Sequence, residues 1–317
     1  MSGELWFVTC VANPCGFRSR YNLYDAFADH ILNVVGGNLL TVEVAFGDGE
    51  HALAPRESSP NYKLIQVRSK SRLWTKESQL NLGIATLPPE AEYVCWCDAD
   101  IDFAQGPLIK RDIVEALQTW DVIQCFTVAL DLGPQKEVMK VHHSFGFCHQ
   151  MQIPVDIRNT GDETFYHSGY VWAARRSFLN DIGGLLDVGI VGSGDRMMAM
   201  GLVGRAEEYC DPAYSLDYRK HILEWQSRCR RALTTGLGYC QAVIRHNFHG
   251  FKRDRQYSTR NEIITKHDFA PSTDICRNDK GIWEFTGNKP DLERDVLQYF
   301  VNRKEDAGST PDTITGT

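Results

Sequence analysis

Short apolar runs alternate with longer segments of helical periodicity along the first 130 residues. The apolar runs cover residues 5–11, 39–46, 62–67, 93–97 and 122–130, and residues 19–35, 75–87 and 108–120 between them have the apolar spacing of amphipathic helices. Strands and helices that alternate in this way are typical of βαβ units, whose parallel strands are buried on both faces. The pattern predicts an α/β fold with a mainly parallel central sheet flanked by helices.

The second half of the chain has a different pattern. Residues 189–195 are rich in glycine and lead into a short Met-rich helical segment, and residues 216–233 predict a longer, charged helix. A last apolar run leads through Arg245 and His246 into a basic tract that ends at Arg260. No internal repeat is visible, and no linker separates two domains.

Composition and charge narrow the class of protein. The chain has 317 residues, of which 43% are hydrophobic and 24% charged, as in ordinary globular proteins. A formal net charge of -7 argues against a general nucleic-acid-binding surface, although it allows a local basic patch. No apolar run reaches the length of a membrane span, and the N-terminus does not resemble a secretion signal, so we expect a cytoplasmic protein.

Two carboxylates follow the apolar run at residues 93–97. Asp98 and Asp100 would lie at the carboxyl end of a strand, where open α/β sheets bind ligands. Two such groups repel each other unless a cation lies between them, and a divalent metal that also contacts phosphate would satisfy both. An ordinary turn is the alternative, because Asp side chains readily hydrogen-bond their own backbone.

Four segments resemble, in order, the motifs of metal-dependent glycosyltransferases with the GT-A fold, the group that includes β-1,4-galactosyltransferases, polypeptide GalNAc-transferases and family 2 enzymes. Asp98-Ala99-Asp100 resembles their D-x-D motif, and residues 76–83 resemble the helix before it. Residues 169–176, 182–185 and 192–195 are similar to their G-x-x-W-A-x-x-R, G-G-x-D and G-W-G-G-E-D series, and residues 243–246 to the segment with the last metal ligand. The resemblance covers about residues 5–257. It implies a UDP-linked nucleotide-sugar donor, with Mn²⁺ or Mg²⁺ at its diphosphate.

Asp195 is the predicted catalytic base. The chain has Gly194-Asp195 where the family has an acidic pair, and Val191 replaces the tryptophan of the motif. If the reaction inverts the anomeric centre, a carboxylate must take the proton of the acceptor hydroxyl, and Asp195 is the acid left in that loop. Asp195 could instead cap the following helix, and the two roles are compatible.

The predicted metal ligands are Asp98, Asp100, His246 and His249. His246 matches the family segment, whereas His249 lies three residues later and precedes a glycine. Positions i and i+3 of a flat strand face opposite ways, so only one of the two histidines would bind the metal unless the strand breaks between them. Asp98 is also predicted to orient the ribose or a metal-bound water.

Further residues are predicted to bind the nucleotide-sugar. Asn13 could read the base edge and Trp74 could stack on the base, although a core role is an alternative for the tryptophan. Arginines can contact phosphate oxygens through two parallel hydrogen bonds, and at the first strand end Arg18 is favoured over Arg20 for this role. The tract at residues 251–260 would be either a lid over the donor or a solvated loop. The predicted donor-binding residues are Asn13, Arg18, Trp74, Lys76, Asn81, Asp98, Arg245, Arg253 and Arg255.

The sequence therefore predicts a hexosyltransferase that moves a sugar from a UDP-linked donor to a hydroxyl of a glycan or of a modified base in DNA. A nucleotidyltransferase is one alternative, although residues 13–16 make a poor phosphate loop, and a non-catalytic nucleotide-sugar-binding module is another. The glycosyltransferase domain would span residues 1–265, with a donor half at about 1–105 and an acceptor half at about 106–265. A C-terminal extension at residues 266–303 and a disordered polar tail at 304–317 would follow.

Overall fold

A seven-stranded sheet forms the centre of the computed structural model, which describes residues 3–56, 59–155 and 165–307. Nearly all of its strands run in one direction, and the strand Val171–Arg175 is antiparallel to both of its neighbours. In spatial order the strands are β11 (Leu237–Tyr239), β6 (Val122–Gln124), β10 (Val171–Arg175), β4 (Ala91–Cys97), β1 (Glu4–Ala12), β2 (Asn38–Phe46) and β3 (Tyr62–Ser69).

A five-stranded sheet and a two-stranded hairpin complete the strands of the described residues. The five strands lie in the order β5 (Ile101–Phe103), β12 (Val243–His246), β7 (Val128–Leu132), β8 (Val138–Ser144) and β9 (Tyr166–His167). The hairpin pairs β13 (Ile275–Arg277) with β14 (Trp283–Phe285).

Helices connect these strands and cover the central sheet. The first helix, α1, continues directly into a π-helical segment, His30–Val35, that ends at Gly36. A 3₁₀ turn, Lys252–Arg255, follows β12. The helices are α1 (Arg18–Asp29), α2 (Lys76–Ala85), α3 (Leu108–Thr119), α4 (Phe145–Gln150), α5 (Arg176–Ile182), α6 (Gly194–Leu202), α7 (Ala206–Tyr209), α8 (Leu216–Ala232), α9 (Glu262–Lys266), α10 (Pro271–Asp274) and α11 (Pro290–Asn302).

The core lies on both faces of the central sheet. Along β1, Trp6 and Val8 pack into one apolar cluster, whereas Leu5 and Phe7 pack into the other. Successive residues of a strand point to opposite faces, so a strand that is buried on both sides needs an unbroken apolar run. The prediction of an α/β fold with a mainly parallel sheet is confirmed.

One predicted strand is two strands in the structure. The apolar run at residues 122–130 divides into β6 in the central sheet and β7 in the smaller one. The backbone changes partners between them: Cys125 N donates to Val171 O, and Thr127 N donates to Ala242 O. Hydrophobicity reports burial and not the identity of the pairing strand, so the sequence pattern could not show this break.

The C-terminal elements belong to the same core as the central sheet. Phe269, Phe285 and Val296 are buried in the cluster that also contains Trp6 and Val8. Residues 304–307, predicted to begin a disordered tail, form a turn in which the Glu305 side chain is buried. The remainder of that predicted tail, residues 308–317, lies outside the described residues.

Candidate active site

A cleft opens where β1 and β4 end and the smaller sheet begins. It encloses about 290 Å³, and residues that directly follow both strands, Asn13 and Asp98, line it. Eight Lys and Arg side chains line the cleft with only four Asp and Glu side chains. Since the whole chain carries a formal charge of -7, this local excess of cations favours an anionic ligand.

Asp100, His246 and His249 converge in this cleft. The Nε2 atom of His249 lies 3.0 Å from Asp100 Oδ2, and the Nε2 atom of His246 lies 3.7 Å from Asp100 Oδ1. The two Nε2 atoms are 3.2 Å apart. Because β12 ends at His246, the chain can turn and bring His249 to the same point, which is the break that the sequence analysis required for both histidines to meet.

The donor atoms of this cluster suit a divalent cation. Burial lowers the pKa of His249 to about 3, assisted by the charges of Arg255 and Arg20, so its imidazole is neutral at neutral pH and has a lone pair to offer. Burial would raise the pKa of Asp100, but His249, His246 and Arg20 bring it below its ordinary value. Oδ1 of Asp100 is buried without a hydrogen-bond partner. These three side chains can place one ligand atom each within 4.8 Å of one another, which fits a metal ion.

Asp131, at the end of β7, holds His246 from behind. Its Oδ1 lies 2.9 Å from His246 Nδ1 and accepts a 2.6 Å hydrogen bond from the hydroxyl of Tyr170. Its Oδ2 lies 2.9 Å from His142 Nε2 and also pairs with Lys252. A carboxylate on Nδ1 fixes the tautomer that leaves Nε2 free for a metal, an arrangement common around metal-bound histidines.

Backbone strain accompanies this network at Tyr170, a non-glycine residue with a φ of +76°. Its ring stacks on His167 with centroids 3.8 Å apart, and its hydroxyl reaches Asp131. Strained residues of this kind persist where the surrounding contacts fix them, and they are frequent at functional sites.

Glu305 reaches the cleft from the C-terminal segment. It forms an ion pair with Arg20, whose Nη1 lies 3.4 Å from Asp100 Oδ2, and a second ion pair with Arg303. Its Oε1 also lies 3.9 Å from His249 Nδ1. Gly250 permits this approach: its φ is +92°, and a Cβ at this position would lie 3.0 Å from the Cα of Glu305. The C-terminal segment is therefore a wall of the site.

Lys76 joins the two other acids of the cleft. Its Nζ lies 2.5 Å from Asp98 Oδ1 and 3.1 Å from both carboxylate oxygens of Asp195. Burial raises the pKa of Asp98 to about 6 against the opposing effect of Lys76, and the charge of Asp195 adds to the rise. Asp98 therefore lies with the ammonium of Lys76, apart from the cluster of Asp100 and the two histidines.

The loop before α6 fixes the position of Asp195. Ser193 precedes the helix with a φ of +71°, and Asp195 lies in the first turn, where the helix dipole favours a negative charge. A Cβ on Gly194 would lie 2.3 Å from Glu77 Oε1, so a larger residue at this position would displace the Glu77 side chain. Asp195 therefore lines the cleft but does not cap the helix, because the N-cap position is Ser193 and no side chain caps this helix.

The structure brings several other predicted residues to the cleft. Asn13, Trp74 and Arg255 all line it. The amide of Asn13 is occupied by its own loop, since Nδ2 donates to Phe17 O and Oδ1 accepts from Phe17 N. The Trp74 ring stacks on Phe300 with an interplanar angle of 7°.

Four predicted donor-binding residues do not line the cleft, and their role in donor binding stays a prediction. Arg18 is exposed, and Arg20 lines the cleft in its place. Arg253 is also exposed and lies over the ring of Phe251. These two side chains are on the outer side of segments whose neighbouring positions face inward.

Asn81 and Arg245 are held by structural contacts. The Asn81 amide binds the backbone of Leu185 through both of its polar atoms. Arg245 forms a 2.6 Å ion pair with Asp102, its partner in the register of β12 and β5. Both side chains therefore stabilise the fold outside the cleft.

Several cleft residues had no clear signal in the sequence. Asp131 follows an apolar run as Asp98 does, and this was the one available indication of its place at a strand end. Glu305 lies in a polar segment whose composition indicates disorder, so only the folded structure shows its burial. The residues that the sequence analysis missed or ranked lower are Arg20, Asp131, His142, Tyr170, Tyr257, Arg260, Arg303 and Glu305.

Comparisons with known proteins give only distant similarity. No family model matches the sequence, and no curated protein matches it. Among solved structures, a mutant of Drosophila β1,4-galactosyltransferase 7 in complex with manganese, UDP-Gal and xylobiose has a TM-score of 0.42 and 10% identity, covering 92% of this chain and 98% of that one. S. aureus TarS 1-349 has a TM-score of 0.38 and 9% identity, with 95% and 71% covered. A 4-diphosphocytidyl-2C-methyl-D-erythritol synthase from Anaerococcus prevotii has a TM-score of 0.34 and 10% identity, with 76% and 90% covered.

These likenesses are too weak to transfer an activity to this chain. In the part of the chain that the structure describes, no helix is both long enough and apolar enough to cross a membrane.

Proposed function

We propose that the chain is a divalent-metal-dependent glycosyltransferase that moves a sugar from a nucleotide-sugar, UDP-linked, to a hydroxyl acceptor. The observation that carries the proposal is the cluster of Asp100, His246 and His249 in a cleft whose lysines and arginines outnumber its carboxylates. A metal ion held by these three side chains, together with the lysines and arginines around it, would neutralise the charge of a diphosphate that is bound and then released.

The ligand atoms favour Mn²⁺ over Mg²⁺. Magnesium prefers oxygen ligands and retains several waters, whereas imidazole nitrogen suits transition metals. One carboxylate and two imidazoles form a mixed donor set. When bound, the cation would act as a Lewis acid on the leaving diphosphate.

The side chains around the metal cluster would hold the donor. Arg20 lies 3.4 Å from Asp100 and can reach phosphate oxygens beside the cluster. Lys252 is fixed by Asp131 at the same end of the cleft. These cations stabilise the negative charge that grows as the glycosidic bond to the diphosphate breaks.

Asp195 would take the proton of the acceptor hydroxyl as the sugar is transferred with inversion. Its two oxygens are held by Lys76, which also holds Asp98, so the carboxylate is positioned before the acceptor binds. A positioned carboxylate within hydrogen-bond reach of the hydroxyl is what general base catalysis requires.

Thermal unfolding with a panel of nucleotide-sugars tests the proposal, because a ligand that binds only the folded protein raises its melting temperature. We expect a UDP-sugar to stabilise the protein with Mn²⁺ present and to have little effect after chelation. Asp100→Asn should lose this response, whereas Asp102→Asn, a matched change two residues away, should retain it. Asp195→Asn should bind the donor and fail to transfer the sugar. If no nucleotide-sugar stabilises the wild-type protein under either condition, the proposal is wrong.

A further inference from the structure

The wall of the cleft formed by residues 255–260 contains two guanidinium groups that have no carboxylate partner. Arg255 and Arg260 both line the cleft. Among the residues that the structure describes, no Asp or Glu oxygen lies within the 4.0 Å ion-pair distance of either side chain. The Nε atom of each is buried and has no hydrogen-bond partner.

Both arginines are held in place by neutral groups. Arg255 donates from Nη1 to the Tyr257 hydroxyl at 2.9 Å and from Nη2 to the carbonyl of His249 at 3.3 Å. Arg260 donates from Nη2 to Ser193 Oγ at 2.9 Å and lies 5.0 Å from the centre of the Tyr257 ring. Tyr257 thus joins the two guanidinium groups into one unit.

Several other cations of the same cleft differ, because they have carboxylate partners. Lys76 pairs with Asp98, and Arg303 pairs with Glu305. Arg255 is only 5% exposed, and a buried charge without a counter-ion is costly. An anion from a ligand would supply the missing partner.

The electrostatic environment of Tyr257 also favours the binding of an anion at this wall of the cleft. Burial alone would raise the pKa of its hydroxyl, yet the charges of Arg255, Arg303 and Arg260 bring that pKa below its ordinary value. The positive charge is therefore concentrated at this wall of the cleft, and it would act equally on an anionic ligand group placed there.

Arg260 is the end of this unit that contacts the loop before α6, whereas Arg255 contacts the backbone of His249. The contact of Arg260 in that loop, Ser193, precedes Asp195 by two residues, and a Cβ on Gly192 would lie 3.0 Å from Arg260 Nη1. The guanidinium therefore lies beside the loop that carries the proposed base, where the transferred sugar and the acceptor would meet.

We propose that Arg255 and Arg260 bind an anionic group, a carboxylate or a phosphate, that belongs to the transferred sugar or to the acceptor and is additional to the donor diphosphate. That the anionic group belongs to a transferred sugar or to an acceptor rests on the proposed function. The anion subsite itself rests on the two arginines alone. The sequence predicts that Arg255 binds the donor, and its pairing with Arg260 through Tyr257 favours this second group instead.

Calorimetric titration with sulfate, a divalent anion that stays soluble with Mn²⁺, tests the subsite. We expect sulfate to bind with similar affinity to the free protein and to protein saturated with Mn²⁺ and UDP. Arg260→Gln should weaken sulfate binding by roughly tenfold or more, as for the loss of one charged hydrogen-bond partner. Arg260→Lys, which retains the charge, should bind sulfate more tightly than the glutamine variant. The matched control Arg294→Gln, on an exposed helix surface, should bind sulfate like the wild type.

Three results would overturn the proposal: no binding of sulfate, unchanged binding in Arg260→Gln, or displacement of sulfate by UDP, which would assign the arginines to the diphosphate. The wild-type titrations decide this even if the glutamine variant fails to fold. Competition by UDP-glucuronate but not by UDP-glucose would place the anion on the donor sugar, and competition by neither would place it on the acceptor. If UDP does not bind at all, the proposed function fails, while sulfate binding that depends on Arg260 would still establish the subsite.

Discussion

At the scale of single residues, the site depends on carboxylates that hold other side chains in position. Asp131 is the clearest case, since it is 3% exposed and contacts His246, His142, Tyr170 and Lys252 at once. It does not belong to the cluster that would bind the metal, yet it determines which nitrogen of His246 faces that cluster.

Replacing Asp131 should therefore weaken metal binding. We expect Asp131→Asn to lower the affinity for Mn²⁺ by about 10- to 100-fold, the effect typical of a lost partner behind a metal-bound histidine. Calorimetric titration of each protein with Mn²⁺ measures this affinity. Glu43→Gln is a matched control, because Glu43 is also 3% exposed but binds backbone groups outside the cleft. Equal affinities for Mn²⁺ in wild type and Asp131→Asn would show that Asp131 has no positioning role.

Glu77 should make stability depend on pH. Burial raises its pKa to about 8, with Lys76 opposing and Asp195 and Asp187 adding to the rise. Between its ordinary pKa of 4.5 and about 8, the folded protein holds a proton that the unfolded chain has released. The folded state therefore binds more protons in this window, and the free energy of unfolding should fall as the pH rises through it.

Glu77→Gln should remove this contribution. Denaturant unfolding at pH 5 and pH 8 should show that the variant loses less stability than the wild type over this interval, by roughly a few kcal/mol at most. Glu224→Gln, at an exposed position of α8, should follow the wild type. A wild-type protein whose stability rises more steeply than that of Glu77→Gln between these pH values would contradict the assignment.

Residue types and spacing predicted part of the site. Asp100, His246, His249 and Asp195 follow strands or a glycine-rich loop, and the structure brings all four to one cleft. The direction in which a side chain faces was harder to predict. Arg18 and Arg20 are two positions apart at the start of α1, and Arg20 is the one that contacts Glu305 of the C-terminal segment and lines the cleft. Contacts distant in sequence carry that information, and a local pattern cannot.

At the scale of elements, the C-terminal segment after α11 completes the cleft and the start of α1. Phe17, at the N-cap position of α1, provides no side-chain cap, and Asp306 accepts hydrogen bonds from the backbone N of Arg18 and of Ser19 instead, at 3.0 and 2.8 Å. Glu305 adds its ion pair with Arg20. This polar segment therefore caps the start of α1 and completes one wall of the cleft.

Two truncations separate these roles from the rest of the tail. A chain that ends at Asn302 loses Arg303, Glu305 and Asp306, and we expect its stability to fall by about 2 kcal/mol or more, from a lost helix cap and a broken buried ion pair. A chain that ends at Ala307 retains these contacts and should unfold like the full-length protein. The melting temperatures of the two truncated chains and of the full-length protein measure this difference. Identical unfolding of the chain that ends at Asn302 and the full-length protein would show that the segment is dispensable.

The elements of the first half were predictable because each has one dominant pattern. The largely apolar runs of β1, β2 and β4 indicate burial on two faces, and α3 has helical spacing. The five-stranded sheet was not predicted, since its short strands come from distant parts of the chain. Its β12 and β5 pair across more than a hundred residues, which no local pattern reports.

At the scale of the whole molecule, an acidic chain surrounds a cationic cleft. The net charge of -7 and the excess of lysines and arginines around the cleft concentrate attraction for anions at one place. The metal cluster, the pair of Lys76 with Asp195 and the pair of Arg255 with Arg260 all line this cleft. Together they fit a ligand with several anionic or polar groups better than a single small ion.

Electron paramagnetic resonance of bound Mn²⁺ identifies the ligands of the metal, because it reports the nuclei next to it. We expect nitrogen couplings from two histidines, lost in part in His249→Ala, and a new phosphorus coupling when a UDP-sugar is added. Mn²⁺ without histidine nitrogen couplings, or with no phosphorus coupling at saturating UDP-sugar, would contradict the claim that Asp100, His246 and His249 hold a metal against the donor diphosphate.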